Sequence, residues 1–149
     1  MSLVRLIKVN ASDMEALKEY VAALYTHGED YDSMVNIEEG VTSLLRNENL
    51  ATPYFIKRED QRIGYVILTR YHSVEKGGLT LFIDELYVEE RHRRQRVGSD
   101  IMACILEIAQ ESGAKNLWAQ VERSNLAAQS FFTQHGFIVD PHISFERPL

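Results

Sequence analysis

Apolar residues recur at helical spacing in four stretches of the chain and predict four helices. These cover residues 13–25, residues 37–46, the stretch that follows Gly98 and ends at Gly113, and residues 125–135, which Gly136 closes. A glycine directly after the last apolar turn is typical of a helix C-terminus, because glycine adopts the left-handed conformation without steric cost. Two helices are thus predicted in each half of the chain.

Short apolar runs between polar or glycine-containing segments predict strands. The runs are residues 3–9, 54–56, 63–69, 79–88, 117–121, 137–139 and 143–146, with a hairpin at residues 59–62. The long run at 79–88 is rich in apolar residues, which favours a central place in the sheet. With the helices between them in this order, the strands are predicted to form a mixed α/β sheet with helices on its faces.

The composition is that of an ordinary globular protein, since 45% of the 149 residues are hydrophobic and 26% are charged. A chain of this length is expected to form one domain over residues 1–149. Its only cysteine, Cys104, excludes an internal disulfide and therefore a disulfide-framed secreted module. Arg5 and Lys8 interrupt the apolar start, so no signal peptide is predicted, and no apolar run approaches the roughly 18 residues of a membrane span. We therefore expect a soluble, cytoplasmic protein.

The charge of the chain is acidic overall and locally basic. Sixteen Lys and Arg residues stand against 22 Asp and Glu residues, which gives a net charge of −6. This balance disfavours nucleic acid as a partner and favours cationic small molecules or basic peptides. Arg91, Arg93, Arg94 and Arg96 nevertheless fall within six residues, which indicates a local anion site.

These arginines lie between the predicted strand 79–88 and the helix that follows Gly98. A strand that runs through a loop into a helix N-terminus presents unpaired N–H groups and the positive end of the helix dipole to an anion. Arginines beside such a turn add charge-assisted hydrogen bonds to phosphate oxygens. The alternative is a solvated surface loop with a capping glycine, because neither of the two common phosphate-loop patterns occurs in the chain.

Two motifs lie between residues 84 and 137. The stretch Asp84-Glu85-Leu86-Tyr87-Val88, followed after five positions by Arg94-Gln95-Arg96-Val97-Gly98-Ser99, looks like the acetyl-CoA motif of the GNAT family of N-acetyltransferases, whose Arg/Gln-x-x-Gly-x-Gly/Ala pattern aligns with residues 93–98. Asn125, Ala128, Phe132 and His135-Gly136-Phe137 resemble the family's second conserved helix. The resemblance is strong over about residues 79–139 and carries little specific signal before residue 70.

The resemblance implies a mixed, mostly antiparallel central sheet with helices on both faces. It also implies transfer of an acetyl group from acetyl-CoA to an amine of a small molecule or a protein, by direct attack and without a metal. The pantetheine arm is expected against the backbone of the strand, the pyrophosphate on the loop N–H groups, and Asn125 either on the cofactor arm or as a helix cap only. The residues so implicated are Leu86, Tyr87, Val88, Arg93, Arg94, Gln95, Arg96, Val97, Gly98, Ser99, Asn125 and Phe132. Dimers are common in the family, so a homodimer is a further expectation.

The chain departs from the family pattern at two positions. Arg96 replaces the first glycine of the loop, which is costly if the position needs a positive φ and tolerable if it needs only an N–H donor. We expect the second case, because Gly98 is retained at the helix start. Phe132 replaces the tyrosine that usually serves as general acid, and a phenyl ring cannot donate a proton. Thiolate is a tolerable leaving group, so turnover is still expected.

A base must remove a proton from the acceptor, because an alkyl ammonium is mostly protonated at pH 7. Asp84 and Glu85 are the candidates, since charged residues are unusual within a buried strand. Regular alternation places Asp84 on the face of Leu86, and Glu85 on the face of Ile83 and Tyr87. Both faces are similarly apolar, so we favour Asp84 on the family resemblance and keep Glu85 open.

Several residues allow other interpretations than an acetyltransferase site. Phe132 motivates a non-catalytic acyl-CoA-binding sensor of the same fold, and the arginine cluster motivates a nucleic-acid-binding module, which the acidic net charge opposes. The acidic residues Glu29, Asp30, Asp32, Glu38 and Glu39 either border the site of a cationic acceptor or form a solvated loop. The five histidines show no metal-ligand spacing, and Cys104 on an apolar helix face is expected in the core.

Overall fold

The structure, a computed structural model, describes residues 3–27 and 36–149. Its elements in chain order are β1 (Val4–Lys8), α1 (Met14–His27), α2 (Ile37–Arg46), β2 (Ala51–Arg58), β3 (Gln61–Ser73), β4 (Gly78–Val88), α3 (Val97–Glu111), β5 (Asn116–Ala119) and α4 (Leu126–Gln134). The four predicted helices and the first five predicted strands are confirmed within a few residues. None of the described helices is long and apolar enough to cross a membrane.

The five strands form one sheet in the order β1-β2-β3-β4-β5. The first four strands are antiparallel neighbours, and β5 pairs parallel to β4. The predicted hairpin is confirmed, because Glu59 and Asp60 alone join β2 to β3 and Glu59 takes the positive φ of 54° that a tight turn favours. The parallel pair needs a crossover, which α3 supplies. The mixed, mostly antiparallel sheet is therefore confirmed, and β4 is an interior strand with a neighbour on each side, next to the middle strand β3.

Helices cover both faces of the sheet, as expected. On one face, α1 and α2 bury a cluster that includes Leu17 and Val41 against the sheet. On the other face, α3 buries Ile101 and Ile105, and Phe131 of α4 packs at the edge of that cluster. Because both faces are covered, β2 is buried continuously over residues 52–56 and β3 over residues 63–68 rather than at alternate positions.

The two strands predicted at 137–139 and 143–146 are wrong, because the structure has no strand after α4. The chain turns at Gly136, whose φ is +85°, and Phe137 packs against Phe132. Residues 138–149 then run on without secondary structure and are all exposed. Their apolar pattern is typical of strands, but a strand also needs a hydrogen-bonded neighbour, and the described chain provides none for this segment.

Candidate functional site

The sheet opens between β4 and β5 about halfway along β4. Parallel pairing runs from Thr80–Asn116 to Ile83–Ala119, where β5 ends, while β4 continues to Val88. The side chains of Leu86 and Val88 pack towards α3. Beyond Ile83, β4 thus presents backbone rather than these side chains to the gap. A strand edge of this kind suits an extended ligand that forms main-chain hydrogen bonds.

Gly64 of β3 fixes how closely the two strands approach beside this gap. A Cβ atom added to Gly64 would lie 2.0 Å from the backbone oxygen of Tyr87 and 3.0 Å from the Cα of Val88. These are backbone atoms of the antiparallel neighbour, so they cannot rotate away as a side chain does. Glycine at position 64 therefore holds the second half of β4 in place.

A β-bulge lies at Asp84, where the gap begins. Ile67 pairs with Glu85 and Leu68 with Ile83, so one step on β3 corresponds to two on β4. The extra residue, Asp84, interrupts the alternation of side chains. Ile83 consequently packs on the α3 side, whereas Tyr87 packs on the α1 side. The expectation from regular alternation, which placed Ile83 and Tyr87 on one face, is therefore wrong.

Glu85 points to the α1 side and is held by two phenols. The Tyr25 hydroxyl donates to Oε2 at 2.5 Å, and the Tyr65 hydroxyl donates to Oε1 at 2.9 Å. Burial raises the pKa of Glu85 above its ordinary value, the two hydrogen bonds oppose that rise, and the charge of Asp84 adds to it. Burial together with the neighbouring carboxylate also raises the pKa of both tyrosines. Both phenols are therefore neutral donors over the physiological pH range.

Asp84 differs from Glu85 in its surroundings. Asp84 is exposed to solvent. In the described part of the chain, no hydrogen bond or ion pair holds its carboxyl group. The nearby protein atoms still desolvate this carboxyl group enough to raise its pKa above the ordinary value. Asp84 is thus an accessible carboxylate with an increased affinity for a proton.

The loop between β4 and α3 is shaped by arginines. Arg93 donates from Nε to the backbone oxygen of Val88 at 2.7 Å, and its guanidinium lies 5.5 Å from the centre of the Tyr87 ring. Arg94 and Arg96 both adopt the left-handed conformation, with φ of 64° and 61°. The expectation that position 96 needs only an N–H donor is therefore wrong, because the backbone turns there in the way that favours glycine.

The first turn of α3 is open to an anion. Arg96 is the N-cap residue and makes no capping hydrogen bond with its side chain, so the amides of Val97, Gly98 and Ser99 have no side-chain partner from the cap. Residues 93–96 are all exposed, and Gln95 accepts a hydrogen bond from Arg58 of β2. Unpaired amides, a helix dipole and exposed guanidinium groups together fit a phosphate.

Helix α4 packs directly against this turn. A Cβ atom added to Gly98 would lie 2.8 Å from Cε2 of Phe131, so glycine permits the close contact between the two helices. Ser99 and His135 are also in hydrogen-bond contact, with 3.4 Å between Oγ and Nε2. The beginning of α3 and the end of α4 therefore form one surface.

Asn125 and Phe132, the two other residues that match the family motif at α4, each make specific contacts. Asn125 caps the helix, because its side-chain oxygen accepts from the N–H of Ala128 at 3.0 Å. Its role towards a cofactor stays a prediction. Phe132 packs edge-on against Phe131 and Phe137, with ring centres 5.3 and 5.0 Å away. Phe132 is therefore half-buried against the core on the α3 side and supplies no proton donor.

Sequence reasoning missed Tyr25 and Tyr65, which lie far from Glu85 along the chain. No local motif connects them to it. A signal was present in α1, since Tyr25 follows Leu17 and Val21 at a spacing of four and so places a hydroxyl on the buried face. A buried tyrosine usually finds a hydrogen-bond partner for its hydroxyl, so this pattern could have predicted a polar group on the facing strand.

Only part of the predicted acidic region, Glu38 and Glu39, lies within the described residues. Glu29, Asp30 and Asp32 lie outside the described residues. Glu38 forms an ion pair with Lys18 at 2.7 Å, and Glu39 accepts a hydrogen bond from the side chain of Asn36. Residues 3–27 and 36–149 contain no group of three or more His, Cys, Asp or Glu side chains that could hold a metal ion. Cys104 is half-buried in α3, and burial raises the pKa of its thiol.

Comparison with known proteins identifies similar chains. The family model described as the acetyltransferase (GNAT) family matches residues 14–137. A possible acetyltransferase from Clostridium difficile 630 is 18% identical, with 99% of each chain covered and a TM-score of 0.84. A ribosomal-protein-alanine N-acetyltransferase from Brucella melitensis biovar Abortus 2308 is 15% identical, with 97% of this chain and 98% of that chain covered and a TM-score of 0.76. The aminoglycoside N-acetyltransferase AAC(6')-Iy, solved with CoA, is 15% identical, with 97% and 94% covered and a TM-score of 0.75.

Proposed function

The chain belongs to the GNAT family of acetyltransferases, and we propose that it transfers the acetyl group of acetyl-CoA to a primary amine of a small molecule or a basic peptide. The observation that supports this proposal best is a pair of carboxylates on the strand that leads into an anion site. Asp84 and Glu85 lie at the bulge of β4, and the open first turn of α3 follows the same strand. Acetyl-CoA carries phosphates at one end and a thioester at the other, so it needs both features along one path.

The residues present fit acetyl-CoA. The amides of Val97, Gly98 and Ser99, with the guanidinium groups of Arg94 and Arg96, would hold the pyrophosphate, since this donor set suits phosphate oxygens. The backbone of β4 from Leu86 to Val88 would align the pantetheine arm along the gap. When bound, acetyl-CoA would supply its acyl group as a thioester, whose thiolate leaving group is a weaker base than an amine.

We propose Asp84 as the general base and Glu85 as the second candidate. Asp84 takes a proton from the acceptor ammonium, directly or through one water, and leaves a neutral nitrogen with a lone pair for attack on the acyl carbon. The raised pKa of Asp84 makes it a better proton acceptor than an ordinary aspartate. Glu85 already accepts two phenolic hydrogen bonds, so it is the less available base and adds negative charge that favours a cationic acceptor.

The bond made is N–C and the bond broken is C–S, and the second proton of the nitrogen ends on the sulfur. A tyrosine at position 132 would deliver that proton directly, but Phe132 cannot. Thiols have a pKa of about 8.5, so their anions leave without full protonation. We propose that water returns the proton to the sulfur in this protein.

The acceptor is proposed from charge. The charge of Asp84 adds to the raised pKa of Glu85, and a cation placed beside the two carboxylates would relieve that repulsion. Among structural neighbours, one acetylates an aminoglycoside and another the alanine of a ribosomal protein according to their names. A cytoplasmic location, a single domain over residues 1–149 and a homodimer complete the proposal.

Thiol release from acetyl-CoA in the presence of pooled amines tests this proposal. The pool should contain polyamines, aminoglycosides and peptides with free N-terminal or lysine amines. We expect release that depends on at least one amine and that falls by about 100-fold or more in Asp84→Asn, the usual size of a lost general base. Release that is equally fast without any amine would contradict acetyl transfer to an amine.

A non-catalytic acyl-CoA sensor is the second candidate, and the phenyl ring at position 132, which packs against Phe137 and supplies no proton, favours it. It predicts acetyl-CoA binding without thiol release from any amine. Phe132→Tyr separates the two candidates further, because a sensor that lacks only the acid would gain turnover. An enzyme that already works with water as the acid would change little.

A further inference from the structure

Three aromatic rings form a row across the sheet on the face opposite α3. The ring centres of Tyr71 on β3 and Trp118 on β5 lie 6.2 Å apart, and those of Phe82 on β4 and Trp118 lie 5.1 Å apart. Leu117 and Ala119, the neighbours of Trp118 in β5, pack towards α3. Because side chains alternate along a strand, Trp118 and the two rings that it contacts lie on the other face.

The described helices on that face leave the aromatic row uncovered. None of the three rings is among the apolar side chains that α1 and α2 bury against the sheet in the described chain. Tyr71 is 49% exposed, and Phe82 and Trp118 are half-buried. The row therefore presents ring surface to solvent, side by side, over three neighbouring strands.

The carboxylates of Asp84 and Glu85 lie on the same face, directly beyond Phe82 on β4. The bulge sets residues 84 and 85 together opposite Ile67, whose side chain packs on the α1 side. Burial raises the pKa of Tyr25 in α1 most, followed by Glu85 and then by the charge of Asp84, so the carboxylate of Asp84 also acts on this side. An aromatic row and two carboxylates are thus neighbours on one face of the sheet.

We propose that this face binds the amine acceptor, and that the acceptor is a small molecule whose primary amine is joined to an aromatic ring by a short apolar linker. The inference rests on the proposed function and narrows its acceptor. An ammonium beside Asp84 and Glu85 complements their charge, and a ring over the aromatic row covers its apolar surface. Strand residues rise about 3.3 Å each, so the row begins about 6–7 Å from Asp84, a span that suits a linker of about two to four carbon atoms.

The aromatic row favours a ring over a flexible chain as the body of the acceptor. Offset-stacked and edge-on ring pairs gain more than their buried area alone provides. An aliphatic chain covers less apolar area and loses more rotamer freedom when it is held in place. A polyamine therefore satisfies the carboxylates but makes poorer use of the row.

Fluorescence tests the proposal directly, because Trp118 is the only tryptophan of the chain. Phenethylamine carries both a ring and an ammonium, n-butylamine carries the ammonium alone, and hydrocinnamate carries the ring with a carboxylate in place of the ammonium. Each is titrated into the protein alone and into the protein with saturating CoA, which has no acetyl group to transfer. We expect phenethylamine to change the emission of Trp118 saturably, and n-butylamine to compete with it at least about tenfold more weakly. Hydrocinnamate should cause no saturable change, because the two carboxylates repel it.

Substitutions assign the binding to the row. Tyr71→Ala and Phe82→Leu should each raise the dissociation constant of phenethylamine by about threefold or more, because each removes a ring contact. Phe145→Ala is the matched control, since Phe145 is 94% exposed and lies outside the row, and it should leave the constant unchanged. With acetyl-CoA present, Tyr71→Ala and Phe82→Leu should raise the KM for phenethylamine and leave the KM for acetyl-CoA as it is.

The outcomes separate this inference from the proposed function. Equal affinities for phenethylamine and n-butylamine, or no change in Trp118 emission with or without CoA, would overturn the aromatic acceptor. Thiol release with another amine of the pool would still support acetyl transfer in that case. Saturable binding of phenethylamine at Trp118 without thiol release would support the binding face and contradict the transfer.

Discussion

Arg96→Gly tests the loop geometry because it should stabilise the protein while it weakens ligand binding. Arg96 has φ of 61° and ψ of 3°, a conformation that costs an L-residue about 1–2 kcal/mol. Glycine removes that cost, but its greater conformational freedom in the unfolded state destabilises the folded protein by about 0.4–1 kcal/mol. The side chain of Arg96 is exposed and holds no hydrogen bond in the described chain, so its loss costs little. The expected net gain is roughly 0.5–1 kcal/mol.

Thermal unfolding without ligand measures this gain. For a chain of this size, about 1 kcal/mol corresponds to a rise in Tm of about 2–4 °C, so we expect roughly 1–4 °C for Arg96→Gly. Arg96→Ala is the matched control, since it removes the same charge and keeps the Cβ atom that conflicts with the left-handed backbone. Arg94→Gly should behave like Arg96→Gly, because φ at position 94 is 64°.

Ligand binding separates the second role of Arg96 from the first. Arg96→Gly and Arg96→Ala should raise the KM for acetyl-CoA alike, by about threefold to tenfold, because both lose one charge-assisted contact to phosphate. Equal Tm values for the glycine and alanine variants would refute the strain at position 96. Unchanged KM values in both variants would refute a contact between Arg96 and phosphate.

Three further predictions test the site. Burial raises the pKa of Asp84, and a base works only when it is deprotonated. The value of kcat/KM should therefore fall at acidic pH, with a midpoint above the ordinary aspartate range. Asp84→Asn should abolish this pH dependence, and Glu85→Gln should keep it. Gly98→Ala should raise the KM for acetyl-CoA and lower stability by about 1–3 kcal/mol, because the added Cβ meets the Phe131 ring at 2.8 Å; unchanged unfolding would contradict this contact. Phe132→Tyr should raise kcat by less than about tenfold, below the typical effect of a general acid; a gain above 100-fold would show that the missing acid limits turnover.

The helices and the first five strands were predictable because they depend on local patterns. Apolar spacing in α1 and α3 and the many apolar residues of β4 reflect which faces are buried, and each element shows its burial in its own sequence pattern. The order of strands was less accessible. The pairing of β3 between β2 and β4 depends on contacts between distant residues, and an apolar run reports burial but not the number of strands on each side.

The bulge at Asp84 shows why the site was only partly predictable. Asp84 and Glu85 stood out as charges in an apolar strand, but their directions depend on the register between β3 and β4. One extra residue on β4 reverses the face of every side chain before it. Neither residue 84 nor residue 85 has a sequence feature that predicts this bulge. The tyrosines that hold Glu85 come from α1 and β3, so only the folded chain brings them together.

The expectations for Arg96 and for the strands at 137–139 and 143–146 were wrong for a common reason. The local patterns indicated a tolerated arginine and two apolar strands. The structure at both places depends on neighbouring elements, because the entry into α3 imposes the positive φ on position 96 and a strand needs a hydrogen-bonded neighbour. Local patterns therefore predict which residues need partners more reliably than they predict where the partners are.

Calorimetric titration of the native protein with acetyl-CoA is the most direct test of the central claim, that the loop of residues 93–99 and the open edge of β4 hold this co-substrate. We expect one site per chain with a dissociation constant of about 1–100 µM, equivalent to about −8 to −5.5 kcal/mol. CoA without the acetyl group should bind within about tenfold, since the phosphates carry most of the contacts. The absence of any binding by acetyl-CoA would contradict the account, and the arginine-rich loop would then require another anion.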